Sequence, residues 1–586
     1  MSFDLQLMGS LATRVGTNYA ATDAELAEIK RLLKDPQTKS KQLEEDIALS
    51  EARLKNLREQ KDALDESMHS YRALLSPIRR LPRDLLQEMF LACLPHERNP
   101  SMSTDEPPVL LTHVSRQWRH VALHTPRLWA AIHIPVPSIP RNHLGEPLSD
   151  EYSRRVADIM EQRMCIASEW FERSGVCPLS ISLHEWNAHW ASDVFATVAK
   201  RCLIPFCRRW KDISLTTCAS SIRPIQELSA ADTPLLESLR LHLTTIMVPP
   251  PTEDIHAPWK HGSILQSLRL TQFQISAKDR DIPYSQVHWG LLTTLVIEGN
   301  RWAVSMYPDL AAIKNVLRQC TALIECTVQT SAGVMYSPEG DDEMQESPII
   351  LPHLKALTLE EKYDASFLWQ LHAPSLHQIT YSRTPSVEPT SPSPLLSFLT
   401  SHPDVEIQRL HTSSGSMLAD EFLTCLKCCP LLHTLHIKTG KYMTPMASPM
   451  MPTIAQHLGQ IGLNDSLLIA FAPASVDIED VLCPKLEDVE FMMDSKFSEE
   501  AVLDFIRRKQ NGEDKHLSKL RRVKFHFSRK KPFDKNIEAD VKPFVEEGLQ
   551  AELLYDRPFM KGPFSLYDGL PTIYPQFPSL PGFHSG

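Results

Sequence analysis

Between Leu43 and Leu75 apolar side chains return at alternating steps of four and three: Leu43, Ile47, Leu54, Leu57, Leu64, Met68, Tyr71 and Leu75, with Ser50 and Lys61 in the same series. This is the spacing of a coiled-coil seam, and it predicts a long helix over 23–76 behind a flexible N-terminus, 1–22. Leu26, Ile29 and Leu33 form an earlier segment that Pro36 is expected to cut off, because its ring and missing N–H disfavour a helix interior. The seam suits either two chains that associate or one helix packed on its own domain. From Leu81 the period stays helical: Leu81, Leu85, Leu86, Met89, Phe90 and Leu94 share one face, with Pro82 in a first-turn position. A polar, Pro-rich insert from His96 to Pro108 interrupts, and Leu110, Leu111, Val114, Trp118, Val121, Ala122 and Leu123 make a second apolar face. Pro126, Leu128 and Trp129 follow as a turn and an anchor, so 77–134 reads as a small cluster of short helices.

Beyond a linker and helix at 135–178, with an amphipathic stretch from Arg154 to Ser174, the period changes to two. Leu179 to Leu183 alternates as a strand, and then a unit recurs: an apolar pair, two residues, a short alternating run. It stands at Pro234–Leu241, Ile264–Leu270, Leu291–Ile297, Leu323–Val328, Leu351–Leu359 and Pro374–Ile379, and again at Cys429–Ile437, Cys483–Phe491 and Leu517–Phe525, with a weaker copy around Val405. From Leu236 the steps to Leu265, Leu292, Leu323, Leu354 and Leu376 are 29, 27, 31, 31 and 22 residues. Amphipathic stretches at Pro308–Cys320, Leu395–Leu399, Asp420–Cys429 and Glu499–Arg508 lie between copies. One strand and one helix per unit, over 179–535, predicts an α/β repeat array, since no such unit buries its apolar face alone. Acidic (Tyr336–Ser347), Ser/Thr/Pro-rich (Arg383–Pro394) and Met-rich (Lys438–Pro452) insertions read as loops, and 536–586 as a C-terminal cap with a Pro, Gly and aromatic tail.

The 586 residues carry a net charge of -11, which argues against a nucleic-acid footprint spread over the surface. No apolar run reaches membrane-spanning length, and the first residues lack the pattern of a secretory signal. Twelve cysteines, mostly in apolar runs, suit a reduced protein of the cytoplasm, the nucleus or both. Cys425, Cys428 and Cys429 have no second pair or histidine placed to complete a zinc site, and His184, Glu185 and His189 sit among strand and tryptophan residues that favour packing over metal. A phosphate loop, a zinc-protease helix and a nucleophile elbow are all missing, so the reading is of a non-enzyme without metal or cofactor.

The segment from Ile78 to Ile134 resembles an F-box, in the F-box-like form of the large fungal families. The likeness lies in Leu81-Pro82 with Leu85 and Phe90, in Val114-Ser115-Arg116-Gln117-Trp118-Arg119, and in Pro126-Arg127-Leu128-Trp129. Ser115 stands where the family usually has cysteine, and the His96–Pro108 insert is longer than a minimal box allows. The units behind it resemble irregular leucine-rich repeats, although the closing asparagine is mostly missing and Asn300 is its nearest approach. The resemblance implies a long helix, a small F-box-like domain and an irregular leucine-rich-repeat solenoid of strand–helix units.

It also implies docking rather than chemistry: a Skp-type adaptor bound by the box, a cullin–RING complex behind the adaptor, and a protein substrate on the solenoid. By position, Leu81, Pro82, Leu85, Leu86 and Phe90 would lie at or near the adaptor, while Val114, Trp118, Leu128 and Trp129 would complete the small core or its adaptor-facing edge. The side chains between the structural leucines form the candidate substrate face, represented by Arg240, His242, Arg269, Lys355, His436, Lys438, Glu490 and Lys524. A basic run at Arg521, Arg522, Lys524, Arg529, Lys530 and Lys531 would suit an acidic or phosphorylated partner. The alternative is a scaffold that uses the same array without promoting ubiquitin transfer.

Overall fold

A computed structural model describes residues 17–555 except 76, 138–149, 186–192, 245–258, 260–261, 278–281, 283, 285, 300–309, 332–346, 363–365, 385–392, 414–415, 439–463, 474–480, 493–496, 512–516 and 528–536. Asn300, Arg529, Lys530, Lys531, His189, most of each expected insertion, residues 1–16 of the N-terminus and the C-terminal tail therefore lie outside the described residues. The chain forms two compact units, Met1–Leu86 and Gln87–Gly586.

The first unit is dominated by α1, Asp23–Leu75, a single helix of 53 residues. Glu25 closes its start by accepting from the Thr22 N–H and the Thr22 hydroxyl, both at 2.8 Å, so one carboxylate satisfies donors that the first turn leaves free. Pro36 does not cut the helix, contrary to the reading from sequence. Proline costs a helix interior about 3 kcal/mol, but it removes only its own donor, and the turns on both sides keep theirs. The apolar series along α1 is exposed, from Leu26 and Leu33 through Leu43, Ile47, Leu54, Leu57 and Leu64 to Tyr71 and Leu75. A short 3-10 turn, Pro77–Arg80, leads into α2, Arg83–Ala92.

The second unit continues with a single turn α3, Leu111–Val114, then α4, Arg116–Leu123, and a 3-10 turn at Pro126–Trp129. Repeating units follow. Its strands are β1 Ala131–Val136, β2 Leu179–Glu185, β3 Trp210–Cys218, β4 Ser238–Thr244, β5 Gln272–Ser276, β6 Thr294–Glu298, β7 Glu325–Ser331, β8 Ile349–Ile350, β9 Ala356–Lys362, β10 Leu371–His372, β11 Gln378–Thr384, β12 Arg409–Ser413, β13 Thr434–Lys438, β14 Asp488–Met492, β15 Arg522–Phe527 and β16 Gln550–Tyr555. All but β8 and β10, which pair with each other, form one fourteen-stranded sheet in chain order. Every pairing in it is parallel.

Helices stand between most neighbouring strands, α5 Asp150–Arg173, α6 Asp193–Val198, α7 Arg223–Gln226, α8 Leu310–Gln319, α9 Pro394–Ser401, α10 Ala419–Lys427, α11 Asp465–Phe471, α12 Glu499–Asn511 and α13 Ile537–Glu546, while among the described residues no α-helix lies between β4 and β6 or between β7 and β11. Five of them, α5, α8, α9, α10 and α12, fall on the amphipathic stretches of the sequence, because a helix with one apolar stripe has one way to bury it. Among the described residues no helix is long and apolar enough to cross a membrane.

Parallel pairing sets Leu183, Leu215, Leu241, Ile275, Ile297, Val328, Leu359, Tyr381, Thr412, Ile437, Phe491, Phe525 and Leu553 in one row. The row is buried through Phe525, and the residues beside it along each strand point to the opposite face. A second ladder precedes the strands. Glu237 N–H donates to the Lys211 carbonyl, Thr271 to Glu237, Thr293 to Thr271, Ile324 to Thr293, Lys355 to Ile324 and His377 to Lys355. It runs on through Gln408, His433, Glu487 and Arg521 to Gln550, each donating to the one before. The buried aliphatic residue just upstream of each rung (Leu236, Leu270, Leu292, Leu323, Leu354, Leu376, Ile407, Leu432, Leu486, Leu520 and Leu549) holds the chain at the right depth to make it.

The sheet is longer at both ends than the 179–535 array expected from sequence, because β1 and β16 continue it. One unit is displaced: Ile264–Leu270 is a turn, Leu268 is 79 % exposed, and the strand is the following Gln272–Ser276, whose Phe273 and Ile275 alternate inward. Buried polar groups pair between neighbouring strands toward the strand ends. Thr217 donates to Glu185 at 2.7 Å, Gln329 accepts from the Gly299 N–H at 3.0 Å, and the Tyr381 hydroxyl donates to Glu361 at 2.7 Å.

The insert read as a polar interruption is largely buried. Ser101, Met102, Ser103 and Glu106 are all under one-tenth exposed, and the Glu106 carboxylate takes both the Arg98 guanidinium and the Ser101 N–H. Its Pro100 carbonyl accepts the His133 N–H at 2.8 Å, and Asn99 bonds to Ser180 and Ser182. The insert thus covers the outer edge of β1, where open backbone groups would otherwise invite another strand. Glu106→Ala, which removes the carboxylate shared by Arg98 and Ser101, should lower stability by about 3 kcal/mol, read as a shift of the urea midpoint at constant slope; a change below about 1 kcal/mol would show that the insert contributes little.

Candidate protein-interaction surfaces

The small helices of the second unit have a core of their own. Phe90, 1 % exposed, packs its ring against Trp118 at 4.8 Å. Ser115 has extended backbone and caps α4, its hydroxyl accepting the Trp118 N–H at 3.1 Å. That bond explains serine at this place, because a thiol is a much weaker cap acceptor than a hydroxyl. Leu128 and Trp129 are buried, and the Trp129 indole donates to the Ala122 carbonyl at 2.8 Å. Trp129 meets Trp170 of α5 edge-on at 4.8 Å, with the Arg173 guanidinium over its ring at 4.9 Å. These anchors join the helical cluster to the first repeat.

What the cluster leaves outside is also apolar. Met89, Leu110 and Val114 are exposed, Val114 by 55 %, and Trp118 is half-buried. The helical face read from sequence is therefore divided: on α2, Leu86 and Phe90 turn inward while Leu85 and Met89 turn to solvent. The exposure of Met89 and Leu110 is not legible from period alone, since both occupy positions in apolar stripes. An exposed ion pair, Arg127 with Glu88 at 3.0 Å, stands on the same helices. In the first unit, Leu81 is half-buried, Pro82 is exposed and Leu85 is 54 % exposed.

On the sheet, the face opposite the core carries Arg240, His242, His436, Lys438, Glu490 and Lys524. Arg269 and Lys355, expected on strands, lie in the turns that enter β5 and β9. Both are exposed, as are Arg240, His242 and Lys438. Arg240 donates to both oxygens of Asp212 at 2.8 and 2.9 Å. Toward the C-terminal end the charges interlock: His436 reaches Asp488 at 3.1 Å and Glu490 at 3.5 Å, Lys524 reaches Glu552 at 3.1 Å, and Arg521 reaches Glu487 at 3.0 Å. Arg522 lies 3.9 Å from both Asp488 and Glu490. The described part of the basic run is thus matched, cation by cation, with carboxylates from neighbouring strands.

His436 also stacks on His411, with ring centroids 4.4 Å apart and planes within 9°. Burial, then repulsion from His436 and Lys438, lowers the His411 pKa to about 4; burial and His242 lower that of His184 to about 4. The His411 Nε2 is buried with no hydrogen-bond partner, which fits a neutral ring. All twelve cysteines are free thiols, and burial raises those of Cys425, Cys429 and Cys483, so this cluster is not a set of reactive thiolates. Among the described residues no group of three or more His, Cys, Asp and Glu side chains is arranged to hold a metal.

Neither the protein-family models nor the curated proteins compared with the chain contain a match to it.

The unfolded chain takes up protons on His184 and His411 near 6.5, while the folded chain holds them neutral down to about 4. Stability is therefore full above the upper value and is lost as pH falls through this window, because the unfolded state then binds more protons. Denaturant midpoints at pH 7.5 and pH 5 should differ less for His411→Gln than for the native chain; equal differences would rule out His411 as a source of the loss. Ser115→Ala should cost about 1 kcal/mol in the same measurement at neutral pH, while Ser115→Asp should retain most of the stability.

Proposed function

We propose that the chain is a substrate-recognition subunit of a Skp–cullin–F-box type ubiquitin ligase: the box docks a Skp-type adaptor, and the exposed sheet face holds a protein substrate. The observation that carries this reading is the exposed apolar set Met89, Leu110 and Val114 on a helical cluster whose own core is already closed by Phe90, Leu128 and Trp129. Exposed side chains of this kind, on a cluster that also carries half-buried Trp118 and the exposed Glu88–Arg127 pair, have the composition of a protein-binding hot spot. Leu81, Pro82 and Leu85 extend the assignment by their place in the motif. The reading gives this chain no catalytic residue and no cofactor. Its contribution is the local concentration and orientation of a substrate for chemistry on other subunits.

The long row of strands supports the second half of the reading. Its open face offers hydrogen-bonding and charged side chains at a regular strand-to-strand spacing, the arrangement with which repeat proteins bind extended partners. Since Arg521, Arg522 and Lys524 are already matched with carboxylates, that end of the face favours a partner of mixed charge over a polyphosphate or nucleic acid. The reading places the complex in the cytoplasm, the nucleus or both.

Purification of the full chain from its host's lysate, followed by mass spectrometry, should recover a Skp-type adaptor together with a cullin. Met89→Glu with Val114→Glu should abolish adaptor recovery while circular dichroism and the urea midpoint stay close to native. Unchanged recovery would sink the interface. Recovery of the adaptor without cullin would favour the scaffold reading instead.

A further inference from the structure

The continuity of α1 through Pro36 changes what its apolar series means. With Ile47 at a heptad a position and Leu43 at d, Leu33 and Leu26 fall two and three heptads before Ile47, and Ile29 falls two before Leu43. One seam therefore runs in a single phase from Leu26 to Leu75, about 75 Å at 1.5 Å per residue. It has a at Leu26, Leu33, Ser40, Ile47, Leu54, Lys61, Met68 and Leu75, and d at Ile29, Pro36, Leu43, Ser50, Leu57, Leu64 and Tyr71. Its large apolar members are exposed along almost the whole length. A seam that repeats every seven residues fits a partner with the same repeat, and a second copy of this helix supplies it.

The charges beside the seam select the direction. In a parallel, in-register pair each g residue faces the e residue five places further on the partner. Glu25 then meets Lys30 and Lys39 meets Glu44, but Asp46 meets Glu51 and Arg53 meets Arg58, and Lys61 stacks on its own copy at a. Two favourable pairs are cancelled by two unfavourable ones, and two ammonium groups share a layer. In an antiparallel pair each a layer faces a d of the partner, and g faces g. The alignment that sets Ile47 against the partner's Ser50 sets Leu43 against Leu54, Leu33 against Leu64, Ile29 against Met68 and Leu26 against Tyr71.

Lys61 then faces the partner's Pro36, so the two positions least suited to a coiled-coil core share one layer, and the Lys61 ammonium remains bound to its own Asp65 at 2.7 Å. On the g flank Asp46 faces the partner's Arg53, twice by symmetry. The e flank is mixed, with Lys30 facing Asp65 and Glu44 facing Glu51, and does not decide. A shift of one heptad toward the C-terminus would set Arg53 against its own copy.

We infer that the chain forms an antiparallel homodimer through α1, centred between Ile47 and Ser50 and selected by reciprocal Asp46–Arg53 pairs. Each partner then leaves the coil at the opposite end, about 80 Å from the other. This inference does not depend on ubiquitin ligation and is tested apart from it.

Sedimentation velocity of the full chain over a concentration series should show a reversible dimer. Asp46→Lys and Arg53→Asp should each raise the dissociation constant by about tenfold, and the double variant D46K/R53D should return it close to native. The same single changes would tighten a parallel dimer, because the introduced lysine would meet Glu51 and the introduced aspartate would meet Arg58, so tightening overturns the inference. A monomer at every concentration overturns it too, as do single variants that associate like the native chain.

Discussion

The ladder of backbone hydrogen bonds that enters each strand, from Lys211 through Glu237, Thr271, Thr293 and onward to Gln550, is the constraint on which the second unit depends. It fixes where each strand begins relative to its neighbour. Once that is set, side-chain alternation sends Leu215, Leu241, Ile275, Ile297 and Val328 into the core and leaves the residues between them on the other face. A slip of one residue would expose the whole row. Each rung is held by a buried leucine, or by Ile407 ahead of β12, shortly before the strand, so the same short motif supplies both the core and the register.

This explains why much of the fold is legible in sequence. The leucine that sets the rung and the alternating run behind it are close together, so they stand out as one pattern, and helices such as α8 and α12 show their apolar stripe within a few turns. The displaced unit before β5 shows the limit: Leu265, Leu268 and Leu270 have the right spacing, yet Leu268 faces solvent because Phe273 and Ile275 offer a better-alternating strand just downstream. β3 contains Ile213 and Leu215 but no leucine pair before them, so it lacks the motif. The His96–Pro108 insert is hidden for a different reason. Its burial is carried by polar groups satisfied within a few residues, and composition alone reads such groups as exposed.

The surfaces are less legible than the fold because they depend on partners distant in sequence. His436 and Asp488 lie 52 residues apart along the chain and meet only because β13 and β14 pair. Arg521, Arg522 and Lys524 read as a basic run along the chain, but across the sheet each stands beside a carboxylate. The more exposed of these pairs, such as Arg521 with Glu487, add little stability individually. Their effect is on selection: where the charges are already matched, as at this end of the face, little is gained from a highly charged partner and least is lost to one that can exchange pair for pair. On the helical cluster, Trp118 and Trp129 both read as anchors, and only their burial separates a half-open ring from one closed by Ala122, Trp170 and Arg173.

The two exposed apolar features differ in kind, and the difference bears on what each can recognise. Met89, Leu110 and Val114 are a short set without a sustained repeat, on helices whose exposed charges Glu88 and Arg127 are themselves paired. Such a set carries its information in local shape, so its complement is a single surface with its own irregular contour. The α1 seam carries its information in repetition. Shape alone would let two copies slide by a heptad at little cost, because Leu follows Leu at nearly the same spacing. The exceptions remove that freedom: Lys61 and Pro36 each spoil any layer shared with a leucine, and they do least harm when they share one. Once they do, Asp46 and Arg53 are already opposite, so the defects in the seam and the charges beside it specify the same alignment.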